Sequence, residues 1–390
     1  MSMVSAQAME VIDDMAGPLS GIRVVELAGI GPGPFCAMML ADHGAEVIRI
    51  ERPGAELDQA NPLGRSRRSL VVDLRKPEGV AVIRDLARAA DGLIEGFRPG
   101  VAERLGLGPD VLLADNPKLV YGRMTGWGQF GSYAAAAGHD INYIALSGVL
   151  HTIGVGGGRP IPPVNYVGDF GGGGMMLAFA MVSALLAVKM GGQGDVIDCA
   201  MTDGSALLAG MAWHMVANGS LDDRPGVNLL DGGAHFYDTY ETADGKYVSF
   251  GSIEPQFYSL FRQHLGIADD PAFDPQMDRE HWPELKRRVA EIVRTRTRDE
   301  WCAAMEASDV CFAPVLSLGE APTHPHNVER RTFIELGGHV QPAPAPRYSR
   351  NQLDRPRLSG AAGSATDDVL ASLGYDAARI EALRAAEAIG

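Results

Sequence analysis

The segment IRVVELAGIGPGPFCAMMLADHGAEVIRI, residues 22–50, contains two short apolar stretches on either side of one helical pattern. Residues 22–27 and 45–50 are rich in β-branched side chains, which favour strands. Between them, residues 35–43 have the pattern of a helix, and Gly44 stands where that helix would end. This order of strand, helix and strand predicts a parallel βαβ unit.

Strand and helix patterns continue to alternate after this unit. We expect strands over 70–74, 93–97 and 119–124, and helices over 77–90 and 99–105. The alternation predicts an α/β fold with a large, doubly wound, Rossmann-like domain. In sheets of this kind, ligands bind beyond the carboxyl ends of the strands.

The length of 390 residues indicates two domains rather than one core. Residues 1–14 contain no Lys or Arg, unlike a signal or transit peptide, and we expect a loose arm there. The rest of the chain is predicted to form a large domain (15–217), a linker (218–234), a small α+β domain (235–340), a second linker (341–360) and C-terminal helices that return to the large domain (361–390).

The composition is that of a soluble globular protein, with 46% apolar and 21% charged residues. The formal net charge of −15 disfavours binding to nucleic acid. The four cysteines are scattered without Cys-x-x-Cys spacing, so we expect no metal site and a reducing, cytoplasmic environment. The apolar run 175–190 is predicted to be a buried helix rather than a membrane span.

The Gly-rich turn 29–34, followed by Glu51 at the end of the next strand, is also found in dinucleotide-binding folds. Pro32 and Pro34 have no N–H to offer a phosphate, however, and the glycine spacing is Gly-x-Gly-x-Gly rather than Gly-x-Gly-x-x-Gly. We therefore disfavour a nicotinamide cofactor.

Arginines follow the predicted strands on the edge of the sheet where a ligand would bind. They are Arg52, Arg75, Arg98 and, one helix later, Arg104. A single arginine there is usually a solvated surface charge. Several at successive strand ends, in an acidic protein, predict an anion site.

Two later segments, GHDINY (138–143) and GDFG (168–171), place reactive side chains beside small residues. His139 and Asp169 each precede an apolar helical pattern, where Asp is a favoured N-cap and a lone His is usually structural. A base beside the N–H groups of a helix start also suits proton removal next to a carbonyl, because those groups stabilise the enolate. Glu254 opens a further helix and either stabilises its first turn or bonds to an imidazole.

Together these motifs resemble the family III CoA-transferase superfamily over nearly the whole chain, from about residue 17. The resemblance is carried by GPLSGIRVVEL (17–27), GPGP (31–34), GAEVIRIE (44–51), RPG (98–100), TGWGQ (125–129), GHDINY (138–143) and GDFG (168–171). Within the superfamily, the His of the GHD segment makes this chain resemble the racemases, because the transferases generally lack a His at that position. The transferases use an Asp matching Asp169 as a nucleophile, so CoA transfer between carboxylates is the alternative activity.

The racemase resemblance implies proton transfer at the α-carbon of a 2-methylacyl-CoA thioester, through an enolate. His139 and Asp169 would stand on opposite faces of that carbon, Glu254 would bond to His139, and the backbone at Asp140 would hold the thioester oxygen. The residues implied to contact the acyl-CoA substrate are Arg52, Val72, Asp73, Leu74, Arg75, Gly96, Phe97, Arg98, Pro99, Arg104, Gly138, Asn142 and Tyr143.

The resemblance also implies that the CoA moiety belongs to the substrate and that no separate cofactor is needed. It implies an interlocked homodimer, with each active site between the large domain of one chain and the small domain of the other. A third hypothesis, from another class, is a non-catalytic acyl-CoA-binding protein. A group of methionines could form a pliable surface for the acyl chain, although packing in the core is the commoner role of such residues. They are Met175, Met176, Met201, Met211 and Met215.

Overall fold

The computed structural model describes residues 16–390, and the arm predicted over 1–14 lies outside the described residues. The described chain divides into two compact units. Residues 16–147, Val164–Leu208 and Arg331–Gly390 form the first unit, and Gly148–Pro163 and Ala209–Arg330 form the second.

The strands belong to three sheets. Their bounds are β1 Arg23–Leu27, β2 Glu46–Glu51, β3 Arg67–Val71, β4 Gly92–Glu95, β5 Val120–Thr125, β6 Val196–Ala200, β7 Tyr237–Glu241, β8 Tyr247–Gly251, β9 Phe312–Val315, β10 Phe333–Leu336 and β11 His339–Pro342. In the first unit the strands from β1 to β6 form a six-stranded sheet in the order β3-β2-β1-β4-β5-β6. All five pairings in it are parallel. The predicted doubly wound α/β fold is confirmed.

Helices connect these strands and cover the sheets. Their bounds are α1 Pro32–Asp42, α2 Pro77–Arg88, α3 Val101–Arg104, α4 Pro109–Asp115, α5 Asp140–Leu146, α6 Met176–Lys189, α7 Met201–Leu208, α8 Gly210–Ala217, α9 Pro255–His264, α10 Trp282–Val293, α11 Arg298–Met305, α12 Pro325–Arg330, α13 Thr366–Ser372 and α14 Ala377–Ala385. A π-helical segment, Tyr166–Met175, leads directly into α6. Single turns of 3₁₀-helix lie at Pro62–Gly64, Val149–Thr152, Pro271–Phe273 and Ala321–Thr323.

The parallel sheet has an apolar core on each face, because its strands alternate their side chains between the two. Val25 and Leu27 of β1 point into one core, where they meet α2, α4 and the C-terminal helices α13 and α14. Val24 points into the other core, which α1 and α6 complete. The strand order changes direction between β1 and β4, so the connections that leave their carboxyl ends run to opposite faces of the sheet and leave a crevice.

One helical run in the described part of the chain, Tyr166–Lys189, is long and apolar enough to cross a membrane, with a mean hydropathy of 1.8. Leu177, Met181 and Leu185 of this run are buried against the sheet, as in the core helix of a globular domain. The expectation that the whole of 175–190 is buried is too broad, however. Phe179 and Leu186 are exposed on the opposite face.

The second unit is built on the antiparallel sheet β7-β8-β9. β7 and β8 form a hairpin around the turn 243–246. Helices α9, α10 and α11 cover an aromatic core centred on Phe236, Phe261 and Trp301. Two segments expected in the large domain, 148–163 and 209–217, are grouped with this unit, because both help to line a cavity with residues 221–231.

Candidate active site

A cleft of about 640 Å³ opens in the first unit at the carboxyl ends of β1, β4 and β5. We call it the reaction cleft. Residues 27–34, 96–99 and 124–127, which end or follow these three strands, line it together with His139 and Asp169. The cleft therefore lies at the crevice where the strand order reverses, as expected for this class of sheet.

His139 is the N-cap residue of α5. Its backbone N–H donates to Asn142 Oδ1 at 3.1 Å, and its carbonyl accepts the Asn142 N–H at 2.8 Å. The backbone of His139 is therefore fixed at the helix start while its ring faces the reaction cleft. Asn142 is not among the described residues that line the cleft. It acts on the site through its hydrogen bonds to the backbone of His139.

Asp169 is not the N-cap of the helix that follows it, in contrast to the expectation from sequence. It lies inside the π-helical segment, which begins at Tyr166 after Asn165. The Asn165 side-chain amide donates to Asp169 Oδ2 at 3.0 Å. π-Helical turns are rare and are often found at functional sites.

The glycines after Asp169 explain why this wide turn is possible. A Cβ at Gly172 would lie 2.6 Å from the Ser205 nitrogen, and one at Gly174 would lie 2.8 Å from the Pro32 oxygen. The segment therefore packs directly on α7 and α1. The glycine run therefore provides close helix packing and not open space for a ligand.

Asp140 links the segments that carry His139 and Asp169. Its carboxylate is buried, with 5% of the residue exposed, and Oδ1 accepts the Asp169 backbone N–H at 2.7 Å. The absence of a Cβ at Gly168 permits this contact, because one would lie 2.4 Å from Oδ1. Burial raises the pKa of Asp140, although the hydrogen bond from the Asp169 N–H acts in the opposite direction.

Aromatic side chains line the reaction cleft beside His139. Tyr143 donates its hydroxyl proton to the Gly138 carbonyl and packs edge-on against Trp127, with 4.8 Å between ring centroids. Gly126 is required there, because a Cβ would lie 2.1 Å from the Tyr143 ring. Burial raises the pKa of the Tyr143 hydroxyl.

The sequence-based site assignment missed several residues that line the reaction cleft, among them Trp127 and Glu26. Trp127 belongs to the TGWGQ motif, which could have drawn attention to it. Glu26 lies at the end of β1 and forms a fully buried ion pair with Arg67, at 2.8 Å. Glu26 belongs to the GPLSGIRVVEL motif, but its pairing with Arg67 of β3 has no local signal in the sequence.

A second cleft, of about 990 Å³, lies beside the first at the ends of β2 and β3. We call it the arginine cleft. Residues 27–30 and Phe97 line both clefts. The predicted substrate contacts divide between them: Arg52, Val72, Asp73, Leu74, Arg75 and Phe97 line the arginine cleft, and Gly96, Phe97, Arg98, Pro99, Gly138 and Tyr143 line the reaction cleft. Arg104 lines neither of these clefts as far as the described residues define them.

Charge in the arginine cleft is partly paired. Arg75 donates to Asp73 Oδ2 at 2.7 Å, and these hydrogen bonds lower the pKa of Asp73 to about 2. Arg52 and Arg98 are exposed. Within the described residues no group of three or more His, Cys, Asp or Glu side chains is arranged to hold a metal ion.

The remaining residues that the sequence singled out are Glu254 and the group of methionines. Glu254, in the second unit, is the exposed N-cap residue of α9, and within the described structure its carboxylate makes no capping hydrogen bond. Met201 lines the reaction cleft, whereas Met211 and Met215 line a cavity of about 490 Å³ in the second unit.

Comparisons with known proteins give consistent results from sequence and from fold. Residues 19–364 match the model of CoA-transferase family III. The chain is 46% identical to "Alpha-methylacyl-CoA racemase" of Mus musculus over 359 residues, which cover 92% of this chain and 93% of that protein. It is 48% identical to "Alpha-methylacyl-CoA racemase" of Homo sapiens over 329 residues, covering 84% and 86%. A solved CaiB/BaiF family protein from Brucella suis aligns with a TM-score of 0.80 at 26% identity, over 92% of this chain and 100% of that chain.

Proposed function

The chain belongs to CoA-transferase family III, and on this premise we propose that it interconverts the two epimers of α-methylacyl-CoA thioesters. The observation that carries the proposal is that His139 and Asp169, distant in sequence, line one cleft. The relatives that are named "Alpha-methylacyl-CoA racemase", at 46% and 48% identity, support the proposed substrate and reaction.

In the proposed reaction, one of the two side chains removes the α-proton and the other returns a proton to the opposite face. The thioester makes the α-hydrogen acidic because the carbanion is delocalised as an enolate. The Asp140 N–H, in the first turn of α5, would hold the enolate oxygen. Asn165 holds the carboxylate of Asp169, and Asn142 holds the backbone that carries the His139 imidazole, before a substrate binds.

We place the CoA moiety in the arginine cleft and the acyl group in the reaction cleft. The shared lining at residues 27–30 and Phe97 supports this division, because a thioester could pass from one cleft to the other. Arg52 and Arg75 line the arginine cleft and would meet the phosphates of CoA there.

We further propose an interlocked homodimer in which Glu254 of the partner subunit bonds to His139. Exposed apolar side chains support the presence of an interface. On α6 they are Phe179, Val182 and Leu186, and on α7 and α8 they are Leu207, Leu208, Met211 and Trp213. The four cysteines are free, which fits the cytoplasmic location that we propose.

The test is incubation of an α-methylacyl-CoA in deuterated water, followed by mass spectrometry. We expect the wild type to incorporate deuterium at the α-carbon of both epimers, and His139→Ala to abolish the exchange of the epimer whose α-proton His139 removes. Exchange that is unaffected by His139→Ala would remove His139 from the mechanism.

CoA transfer between carboxylates is the second candidate, because Asp169 presents a carboxylate to the same cleft. It predicts a covalent adduct on Asp169 and a requirement for a second acid. Detection of that adduct in the intact protein, without exchange of the α-hydrogen, would favour the transferase.

A further inference from the structure

One side of the reaction cleft is formed by the segment just before His139, whose lining residues have side chains no larger than a methyl group. Ala134, Ala136, Ala137 and Gly138 all line it. Ala135, in the same run, does not line this cleft as far as the described residues define it, although Ala135, Ala136 and Ala137 are all exposed. Three of the four alanines therefore line the cleft, and the fourth, Ala135, serves as a comparison within the same run.

This alanine side of the cleft is uncharged. The titratable side chains that line the cleft are Glu26, Arg98, His139, Tyr143 and Asp169. Glu26 is already paired with Arg67. The segment 129–137 contributes only methyl groups to the lining, and the nearby Ile30, which also lines the cleft, is 85% exposed. An apolar substituent entering here would meet methyl groups without desolvating a charge.

The alanine segment is held in a defined position by its neighbours. The Gln129 N–H donates to Asp198 Oδ2 at 3.0 Å, which attaches the start of the segment to β6. Tyr133 packs on Trp127, with 4.9 Å between ring centroids. The Ala136 N–H donates to the Tyr133 carbonyl at 2.8 Å, closing a turn inside the segment. The methyl groups therefore stand at fixed places along the cleft.

We propose that Ala134, Ala136 and Ala137 are specificity-determining residues that leave room for acyl chains with bulk close to the reacting carbon. The inference rests on the proposed racemase function and adds to it the feature that sets acyl width. A pocket lined by packed apolar groups discriminates about tenfold or more for each methylene that it excludes. Larger side chains at these positions would therefore exclude wide acyl groups and spare narrow ones.

The experiment compares Ala134→Leu and Ala136→Leu with Ala135→Leu as the matched control in the full chain. Each variant is assayed for exchange of the α-hydrogen in deuterated water with two thioesters. α-Methylbutyryl-CoA is the narrow substrate, and α-methyl-β-phenylpropionyl-CoA is the wide one. The measured quantity is the ratio of kcat/KM for the wide substrate to that for the narrow one, and thermal unfolding reports whether each variant is folded.

We expect Ala134→Leu and Ala136→Leu to lower this ratio about tenfold or more, and Ala135→Leu to leave it unchanged. An unchanged ratio in both cleft-facing variants, or an equal fall in Ala135→Leu, would overturn the inference while leaving the racemase proposal intact. If the wild type exchanges the α-hydrogen of neither thioester, the proposed function fails and the inference fails with it. If one cleft-facing variant does not fold, the other decides the outcome by the same ratio.

Discussion

The carboxylate of Asp140 connects the two residues that we place around the reacting carbon. It accepts the Asp169 N–H while its own backbone follows His139 at the start of α5. A shift of about 1 Å in a catalytic group can cost about a hundredfold in rate. Asp140 is therefore a positioning residue, because its side chain acts through Asp169.

Replacement of Asp140 tests this role. We expect Asp140→Ala to lower kcat for exchange of the α-hydrogen about tenfold to a hundredfold with little change in KM, because the Asp169 N–H loses its acceptor. Asp140→Asn keeps an oxygen in the same place and should restore most of the rate. Full kcat in Asp140→Ala, or an equal loss in Asp140→Asn, would exclude the positioning role.

At the scale of single residues, the sequence was sufficient to name His139 and Asp169, because their motifs are distinctive and resemble a known family. It was not sufficient to reveal the side-chain role of Asp140, nor Glu26 in the cleft. Those features depend on contacts between segments far apart in the chain, and a single sequence carries no local pattern for them.

At the scale of elements, the π-helical segment is the feature that departs most from expectation. Its glycines and apolar residues read as the start of an ordinary helix, whereas the structure has a wide turn that reaches back to Tyr166. The strands were more predictable, because β-branched runs alternate regularly with helical patterns. β3 nevertheless ends at Val71, and Val72 instead pairs with Ile389 at the C-terminal end of the chain.

Two Gly→Ala substitutions, one in the π-helical segment and one in α8, should have opposite effects on the free energy of unfolding. Gly172→Ala should lower the free energy of unfolding by about 1–3 kcal/mol, because the new Cβ meets the backbone of α7. Gly210→Ala, exposed at the start of α8 with open space around it, should raise the free energy by about 0.4–1 kcal/mol. Chemical denaturation measures both values, and a harmless Gly172→Ala would contradict the packing described here.

At the scale of the whole molecule, stability should depend on pH through a buried histidine in the second unit. His235 lies among Phe236, Phe261 and Phe273, and burial lowers its pKa to about 3. Tyr258 donates to the Phe273 carbonyl, so His235 Nε2–H donates to the Tyr258 oxygen, at 2.7 Å. The folded protein thus keeps this imidazole neutral.

The sign of the effect follows from proton binding. Between about pH 6.5 and pH 3, the unfolded chain protonates His235 and the folded chain does not, so stability falls as the pH falls. From pH 7 to pH 5 we expect this histidine to reduce the free energy of unfolding by about 2 kcal/mol. His235→Gln should remove that part of the slope in denaturation series at several pH values. Identical slopes in the variant and the wild type would contradict the prediction.

The central claim for the whole molecule is that His139 and Asp169 act on the same carbon from opposite faces. Its most direct test is chiral analysis of each pure epimer of an α-methylacyl-CoA after incubation with the wild type, His139→Ala and Asp169→Asn. We predict that the wild type forms the opposite epimer from either starting material and that neither variant does. Interconversion by a variant that lacks either side chain would contradict the claim.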